Sequence, residues 1–596
     1  MTLARHEESG LLRTPRLLLA LLTVAAFANA IPCGFVWLDH WQVESGGLIV
    51  GSWADFSAAL GNPLGAMPGW EGTAPYARPC VVLLLSLVHS LAGTRPVAYH
   101  VTLVLLHLAN VLLVYSVLTR ISLDRSVAFL AAALFGVDPL QTAAVSWISG
   151  IADPLCTLFV LGALRLQLAA SGRTREASLA RIGAVLCCTL ALGTKETALT
   201  FPLLLVAMYV LFPDSLALSQ SASRAERARA ILRAVAPFCV LLIGACVYRL
   251  YVLGAAAFGR AVGAVPLDVR VRTVPRLILS YITLPLRLES LTVCDDYALS
   301  TRWDTRTVLA TAALLAFCIA LTRAWRRHRD AAFGVLWMFV GLLPALNLVP
   351  ILHYRADRFF YFPLIGWSLT VAVLVRIGLK ELQRSAILSA TWLHRSAAIL
   401  TLLGLLLLVS LTIRRNAAFV DDQTLFGSTL RVSPFCREAR TALGDSYLRA
   451  GRYAEAIAEY EQARSPQPGR ASYVVMPKVL INLGMAQLGR SDYAAAAAAF
   501  GEAHQLQPQL LHPLFGLGIA NLGLGQVAAA ATWLEQAYAL APDDPDIVLN
   551  LALSYDRLDR RTEAARLYRQ YLDRNPQGRA RAVAERRARA LEAAQR

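Results

Sequence analysis

The sequence predicts an all-α protein in two parts, a polytopic membrane helical bundle followed by an α-solenoid. Three observations carry that expectation. First, 56% of the 596 residues are hydrophobic and mean hydropathy is +0.50. That is too apolar for an ordinary soluble chain, so several spans in lipid are the economical arrangement. Second, long apolar runs alternate with arginine-rich breaks up to about residue 413. Third, the last third of the chain repeats every 34 residues.

Run length and charge predict about eleven spans. They fall near 15–35, 97–118, 126–138, 150–170, 180–194, 197–213, 232–253, 307–323, 331–350, 359–377 and 396–413. Residues 36–96 and 254–306 read as two long loops within the membrane domain, 1–413. The apolar stretch 275–288 is short and carries Arg276 and Arg287, so it is expected on the membrane surface. At the N-terminus, Ala28-Asn29-Ala30 has the form of a signal-peptidase site. The apolar run continues through Phe35-Val36-Trp37, which favours a retained first span. With the N-terminus inside, the inner turns hold Arg120 and Arg125, then Arg173, Arg175 and Arg181, then Arg224, Arg227, Arg229 and Arg233. Arg323, Arg326, Arg327 and Arg329 follow, then Lys380, Arg384 and Arg395. This agrees with the positive-inside rule. An odd span count then places both long loops and the repeats on the outer face: periplasm, cell exterior or organelle lumen. The abundance of Arg and Ala suits a bacterial inner membrane.

The repeats align residue by residue. Leu443-Gly444, Leu483-Gly484, Leu517-Gly518 and Leu551-Ala552 share one place, and Ala456, Ala496, Ala530 and Ala564 another. Tyr460, Phe500, Leu534 and Tyr568 come next, and Pro468, Pro508, Pro542 and Pro576 close the units. This is the tetratricopeptide (TPR) pattern of paired helices. Four units are expected at 437–470, 477–510, 511–544 and 545–578, after a linker at 414–436, with an insertion at 471–476. Residues 579–596, rich in Arg, Glu and Ala, read as a solvated capping helix. One unit cannot bury its apolar face alone, but a stack of four can, and its concave groove suits peptide segments.

A net charge of +17 (57 basic, 40 acidic) would suit nucleic acid, but the arginines sit where membrane topology requires them, so no nucleic-acid partner is expected. Ten cysteines are scattered, mostly inside apolar runs, and give neither a disulfide framework nor a metal site. No metal or cofactor is expected.

The residues able to do chemistry gather at span ends. The first loop opens Gly34-Phe35-Val36-Trp37-Leu38-Asp39-His40. Arg78-Pro79, Tyr99-His100 and Asp138-Pro139 come next, then Ala152-Asp153, Lys195-Glu196, Pro344 with Asn347, Arg355-Ala356-Asp357-Arg358 and Arg415-Asn416. Charged groups at a membrane edge are candidates for function. Each also has a plainer reading: a loop exit for Asp39, an interfacial anchor for Arg78, packed core histidines for His100 and His107. Lys195-Glu196 and Asp357-Arg358 could be structural ion pairs.

In order and spacing these motifs resemble the TPR-bearing transmembrane O-mannosyltransferase-like family, multispanning glycosyltransferases of the GT-C fold. The resemblance covers about 15–578. It implies a GT-C-like body, a sugar donor on polyprenyl or dolichyl phosphate, and an acceptor hydroxyl of protein on the outer face. It further implies inverting transfer with no metal. In that scheme Asp39 accepts the hydroxyl proton, and Arg78, Lys195, Arg355 and Arg358 bind the leaving phosphate. His40, His100, Asp138, Glu196 and Asp357 support them. The TPR groove would recruit acceptor protein or peptide, and the membrane body would take the lipid-linked sugar. The chain departs from the common pattern at Leu38, Asp138, Ala143, Ile151 and Asp357. Two other readings use the same features: a catalytically degenerate scaffold whose TPRs bind partners, and a polytopic transporter or lipid-handling protein.

Overall fold

The computed structural model describes residues 2–61, 77–121, 124–170, 174–216, 223–254, 265–325, 327–385, 389–471, 473–575 and 577–593. Pro576, expected to close the fourth repeat, lies outside them. Two compact units emerge: Met1–Pro434 with Gly469–Ala471, and Phe435–Pro468 with Ser472–Arg596. Both are helical; the described strands are the two-residue pair Tyr297–Ala298 and Arg470–Ala471, antiparallel within the first unit.

Six helices of the first unit are long and apolar enough to cross a membrane: Pro96–Arg120, Ile148–Ala169, Arg224–Leu253, Thr305–Arg323, Pro363–Arg384 and Ala390–Phe419. A seventh crossing arises if the bent pair Arg125–Val137 and Pro139–Val145 counts as one. Pro139 has no N–H to continue the helical ladder, and the Asp138 carboxylate takes the Leu140 N–H at 2.9 Å. The chain therefore turns by 49° and restarts. The remaining expected spans are shorter: Thr14–Ala30 and Glu196–Leu211 are apolar but brief. Arg175–Leu192 carries charge in its first turns, and Arg329–Leu342 stops just before Pro344. Eleven apolar runs thus give six full-length helices among the described residues, because polar ends and prolines cut the others short.

Pro96–Arg120 is central. It packs against Thr2–Phe27, Arg125–Val137 and Ala152–Ala169, burying Leu103, Val104, Val111, Val114 and Leu118. Arg329–Leu342 and Pro363–Arg384 cross backbone to backbone, since a Cβ on Gly334 would sit 2.5 Å from Thr370 Oγ1 and 2.7 Å from the Gly366 carbonyl. By contrast, Arg224–Leu253 exposes Leu232, Val240, Ile243 and Val247, and Ala390–Asn416 exposes Leu400, Leu403 and Leu407. Continuous apolar faces of this kind belong in lipid. The first unit is the body of a multi-pass membrane protein.

Three stretches read from sequence as loops or linker contain helices. The loop 36–96 contains helices Trp53–Leu60 and Pro79–Ala92. In 254–306 a helix runs Leu267–Ile282, earlier than the expected apolar stretch 275–288, because Thr273, Leu277 and Tyr281 recur every fourth residue on its buried side. The expected linker is helical too: Ala390–Asn416 continues through a turn, Ala417–Phe419, into Asp422–Val432.

The second unit is the expected stack. Its pairs are Arg437–Arg449 with Tyr453–Arg464, Met476–Gly489 with Tyr493–Leu506, Leu511–Gly523 with Val527–Leu540, and Pro545–Arg557 with Arg561–Arg574. The repeat residues explain one another. A Cβ on Gly444, Gly484 or Gly518 would lie 2.6–2.8 Å from Tyr460, Phe500 or Leu534 respectively, so the small and the large position of each unit are one contact. Arg581–Ala593 closes the stack through Ala584, Ala588 and Leu591, and Arg587 makes two 2.6 Å bonds to Asp556.

Gly366→Leu should force its helix away from Gly334 and destabilise the membrane body by about 1–3 kcal/mol. A lowered melting temperature of the detergent-solubilised chain checks this; Gly378→Leu, where a Cβ meets nothing within 4 Å, should leave it unchanged.

Candidate functional site

Asp39 follows the Thr2–Phe27 helix and its short 3-10 continuation, and precedes one turn of π-helix, His40–Glu44. Its carboxylate is fully buried. Oδ2 accepts the Val36 N–H at 3.2 Å. Oδ1 accepts the Ser149 N–H at 2.7 Å and the Ser149 hydroxyl at 2.5 Å. Burial pushes this carboxyl up to about 7, against the lowering pull of Ser149, the Val36 N–H and neighbouring His40. His40 itself lies between Glu44 at 2.6 Å and Asp422 at 3.2 Å.

Beside Ser149 begins a column of rings and cations. Trp147 stacks on Trp37 with centroids 4.7 Å apart. The Arg358 guanidinium lies 5.1 Å from the Trp147 ring and 5.2 Å from Phe359. Lys195 Nζ lies 5.4 Å from that same Phe359 ring. Cation–π contacts of this spacing are favourable, more so when dry. Arg358 also bonds the Val293 carbonyl and His353 Nδ1, each at 3.1 Å.

Lys195 pairs with Asp153 at 2.5 Å. Burial lowers its pKa, Asp153 resists that, and nearby Arg78 and Arg358 push the same way as burial. Glu196 bridges Arg78 at 2.9 Å and Arg249 at 2.7 Å. Burial would raise the Glu196 carboxyl, but Arg249 and Arg78 together hold it well below its ordinary range. Arg78, Lys195, Arg249 and Arg358 therefore face Glu196 and Asp153 with two positive charges in excess. A cluster so composed attracts an anion.

The other expected site residues fall elsewhere. Arg355 bonds Asp295 and lies 3.4 Å from Asp357, a self-contained carboxylate–guanidinium group rather than a member of the Lys195 cluster. Burial raises Asp357 to about 6 despite Arg355, and its Oδ2 takes the Thr292 N–H at 2.5 Å. Asp138 is a buried helix cap, its carboxylate turned to its own chain. His100 Nε2 is 3.4 Å from the Gly34 carbonyl, under the first loop. His107 bonds Tyr361 at 2.8 Å and the Gly136 carbonyl at 3.1 Å, the packed arrangement. Ser149, Trp147, Arg249 and His353 were not singled out from sequence. Only Arg249 carries a signal there, as a charge inside the apolar run 232–253. Among the described residues no group of three or more His, Cys, Asp or Glu is placed to hold a metal ion.

An apolar helical body with a charged, aromatic recess, joined in one chain to a TPR stack, defines the class: a TPR-bearing multi-pass membrane protein. Family models described as tetratricopeptide repeat match residues 423–471, 481–545 and 547–580. The chain is 28% identical over 443 residues to human protein O-mannosyl-transferase TMTC1, covering 66% of this chain and 48% of that protein. It is 26% identical over 586 residues to Drosophila melanogaster protein O-mannosyl-transferase Tmtc3, covering 85% and 61%. It is 27% identical over 376 residues to Caenorhabditis elegans protein O-mannosyl-transferase F38B6.6, covering 60% and 49%. The chain thus spans between about half and three fifths of these relatives. Among solved structures it is similar to MamA, at 19% identity and a TM-score of 0.24 over 26% of this chain and 85% of that one. Repeats and relatives together support a TPR-containing O-mannosyltransferase-like family.

Asp153→Asn should leave Lys195 buried without its counter-charge and destabilise the fold by about 3–5 kcal/mol. The double variant Asp153→Leu with Lys195→Met should recover most of that loss. Thermal unfolding of both variants in detergent checks the ordering.

Proposed function

We propose that this chain is a membrane glycosyltransferase that moves a sugar from a polyprenyl- or dolichyl-phosphate donor to a protein hydroxyl. Mannose is the sugar that the relatives' names indicate. The supporting observation is the column joining a buried carboxylate to a cationic recess: Asp39, Ser149, Trp147, Arg358, Phe359, Lys195.

The chemistry follows from those groups. Ser149 donates its hydroxyl to Asp39 Oδ1, the contact an acceptor Ser or Thr hydroxyl would replace. As the acceptor oxygen bonds to the anomeric carbon, its proton passes to Asp39. The bond from that carbon to the phosphate oxygen breaks, and the electron pair leaves with the lipid phosphate. Attack opposite the leaving group inverts the anomeric centre. Charge grows on the phosphate, where Lys195, Arg78, Arg249 and Arg358 compensate it. Arg355, bound to two carboxylates, contributes structure instead. The reaction lies on the outer face, the positive-inside pattern supporting that sidedness, and the TPR stack recruits the acceptor. A non-catalytic scaffold is the second reading. It is favoured by one fact: Lys195, Arg78 and Arg249 already hold carboxylates.

Purified full chain with polyprenyl-phosphate mannose and a Ser/Thr-rich peptide decides between them. The transferase reading expects glycosylated peptide, and Asp39→Asn should lower kcat by about 10²–10⁴-fold at unchanged protein level. No transfer from any lipid-linked sugar leaves the scaffold.

A base raised to about 7 also fixes the pH response. Activity should rise with pH and level off above about 7, as Asp39 loses its proton. Stability should move the other way. The folded chain holds this proton more tightly than the unfolded chain, whose carboxyl titrates near 3.8. The group's contribution is therefore fully present below about 4 and lost as pH rises towards 7. Asp39→Asn should flatten melting temperature against pH by this group's share, leaving the part that Asp357, raised to about 6, contributes in the same range.

A further inference from the structure

Trp37 has φ of 55°, left-handed backbone that is uncommon for a bulky side chain and costs of order 1–3 kcal/mol. Something must hold it. Its N–H is donated to Asp422 Oδ1 at 2.7 Å. Asp422 is 5% exposed, and its other oxygen lies 3.2 Å from His40 Nε2. One carboxylate thus grips both sides of Asp39, two residues before it and one after.

The end of the last long helix and the segment after it also bind this loop and the chain leading into it. The Gly34 N–H goes to the Val420 carbonyl at 3.3 Å. Asn416 Nδ2 bonds Asn29 at 2.8 Å and the Ala26 carbonyl at 2.9 Å, while its Oδ1 takes the Ser146 hydroxyl at 2.7 Å. Phe426 packs edge-on to the Trp37 ring at 5.7 Å. The left-handed turn at Trp37 is what lays its indole on Trp147, from which the column runs to Arg358.

We infer that Asp422 is a positioning residue: it locks Trp37 in its left-handed turn and so fixes Asp39 relative to Ser149 and the cationic recess. The catalytic half of this inference rests on the transferase reading above; the structural half does not. A charge-assisted bond to a backbone N–H is strong enough to hold such a turn. Misplacing a base by about 1 Å costs on the order of 100-fold in rate.

Two variants of the full chain in detergent test it. Asp422→Ala removes both acceptors; Asp422→Asn keeps one oxygen for the Trp37 N–H. Hydrogen exchange of the segment 34–40 should quicken in Asp422→Ala and return towards wild type in Asp422→Asn. With polyprenyl-phosphate mannose, kcat should fall about 10- to 100-fold in Asp422→Ala and less in Asp422→Asn, at unchanged KM for the donor. The acid limb of the pH profile should move down in Asp422→Ala, as a loosened loop admits water to Asp39. Wild-type exchange and wild-type kcat in Asp422→Ala would overturn the inference. If wild-type protein transfers no sugar, the transferase reading falls, and exchange alone decides: faster in Asp422→Ala supports the clamp, unchanged overturns it.

Discussion

A carboxylate cut off from water must take all its hydrogen bonds from protein, and Asp39 does so with three donors, one from its own loop and two from Ser149. That requirement organises the recess. Ser149 can serve Asp39 only if the chain between Pro139 and Ala152 folds back tightly, which it does through short turns where Gly150 lies too close to Ala143 to carry a Cβ. The same turn delivers Trp147 to Trp37. The bent helix pair, the buried Asp138 cap and the aromatic stack are therefore one arrangement.

The cations obey the same electrostatic rule in another form. Lys195 and Arg78 would be costly to bury alone, and each has a carboxylate beside it. Pairing reduces the charge without cancelling it, because Glu196 is shared by two arginines and Arg358 is held by a ring, a carbonyl and His353. Such a recess can stay folded when empty and still favour an anion.

How much could be read from sequence depended on the distance between partners. In the TPR stack Gly444 meets Tyr460 and Gly484 meets Phe500, contacts closed within one repeat, so the pattern specified the packing. Asp39 and Lys195 were noticeable as charges at the ends of apolar runs. Asp153, the partner of Lys195, is equally visible as a charge, but Ser149 is neutral and lies 110 residues from Asp39. Arg355 and Arg358 read alike in sequence, three residues apart. The turn Asp357–Phe360 sends one to Asp295 and the other to Trp147, and the path of residues 265–306 that brings Asp295 there leaves no local signature. Span count suffered from a similar limit, since hydropathy does not register where Pro139 or Pro344 ends a helix.

Two departures from the family pattern become intelligible together. Where the resemblance leads one to expect an acid near position 143 and an arginine at 151, this chain has Ala143 and Ile151. Both are buried, Ile151 among Val43, Leu48, Tyr99 and Ile148. Gly150 links the two positions, with its would-be Cβ 2.8 Å from the Ala143 carbonyl. A lone charge at either buried position would stand out of water without a partner, which is strongly destabilising. An apolar residue at both positions avoids that cost. Ala143 and Ile151 therefore suit the buried fold around Ser149, and they leave Asp39 with its hydroxyl contact and the recess with its cations.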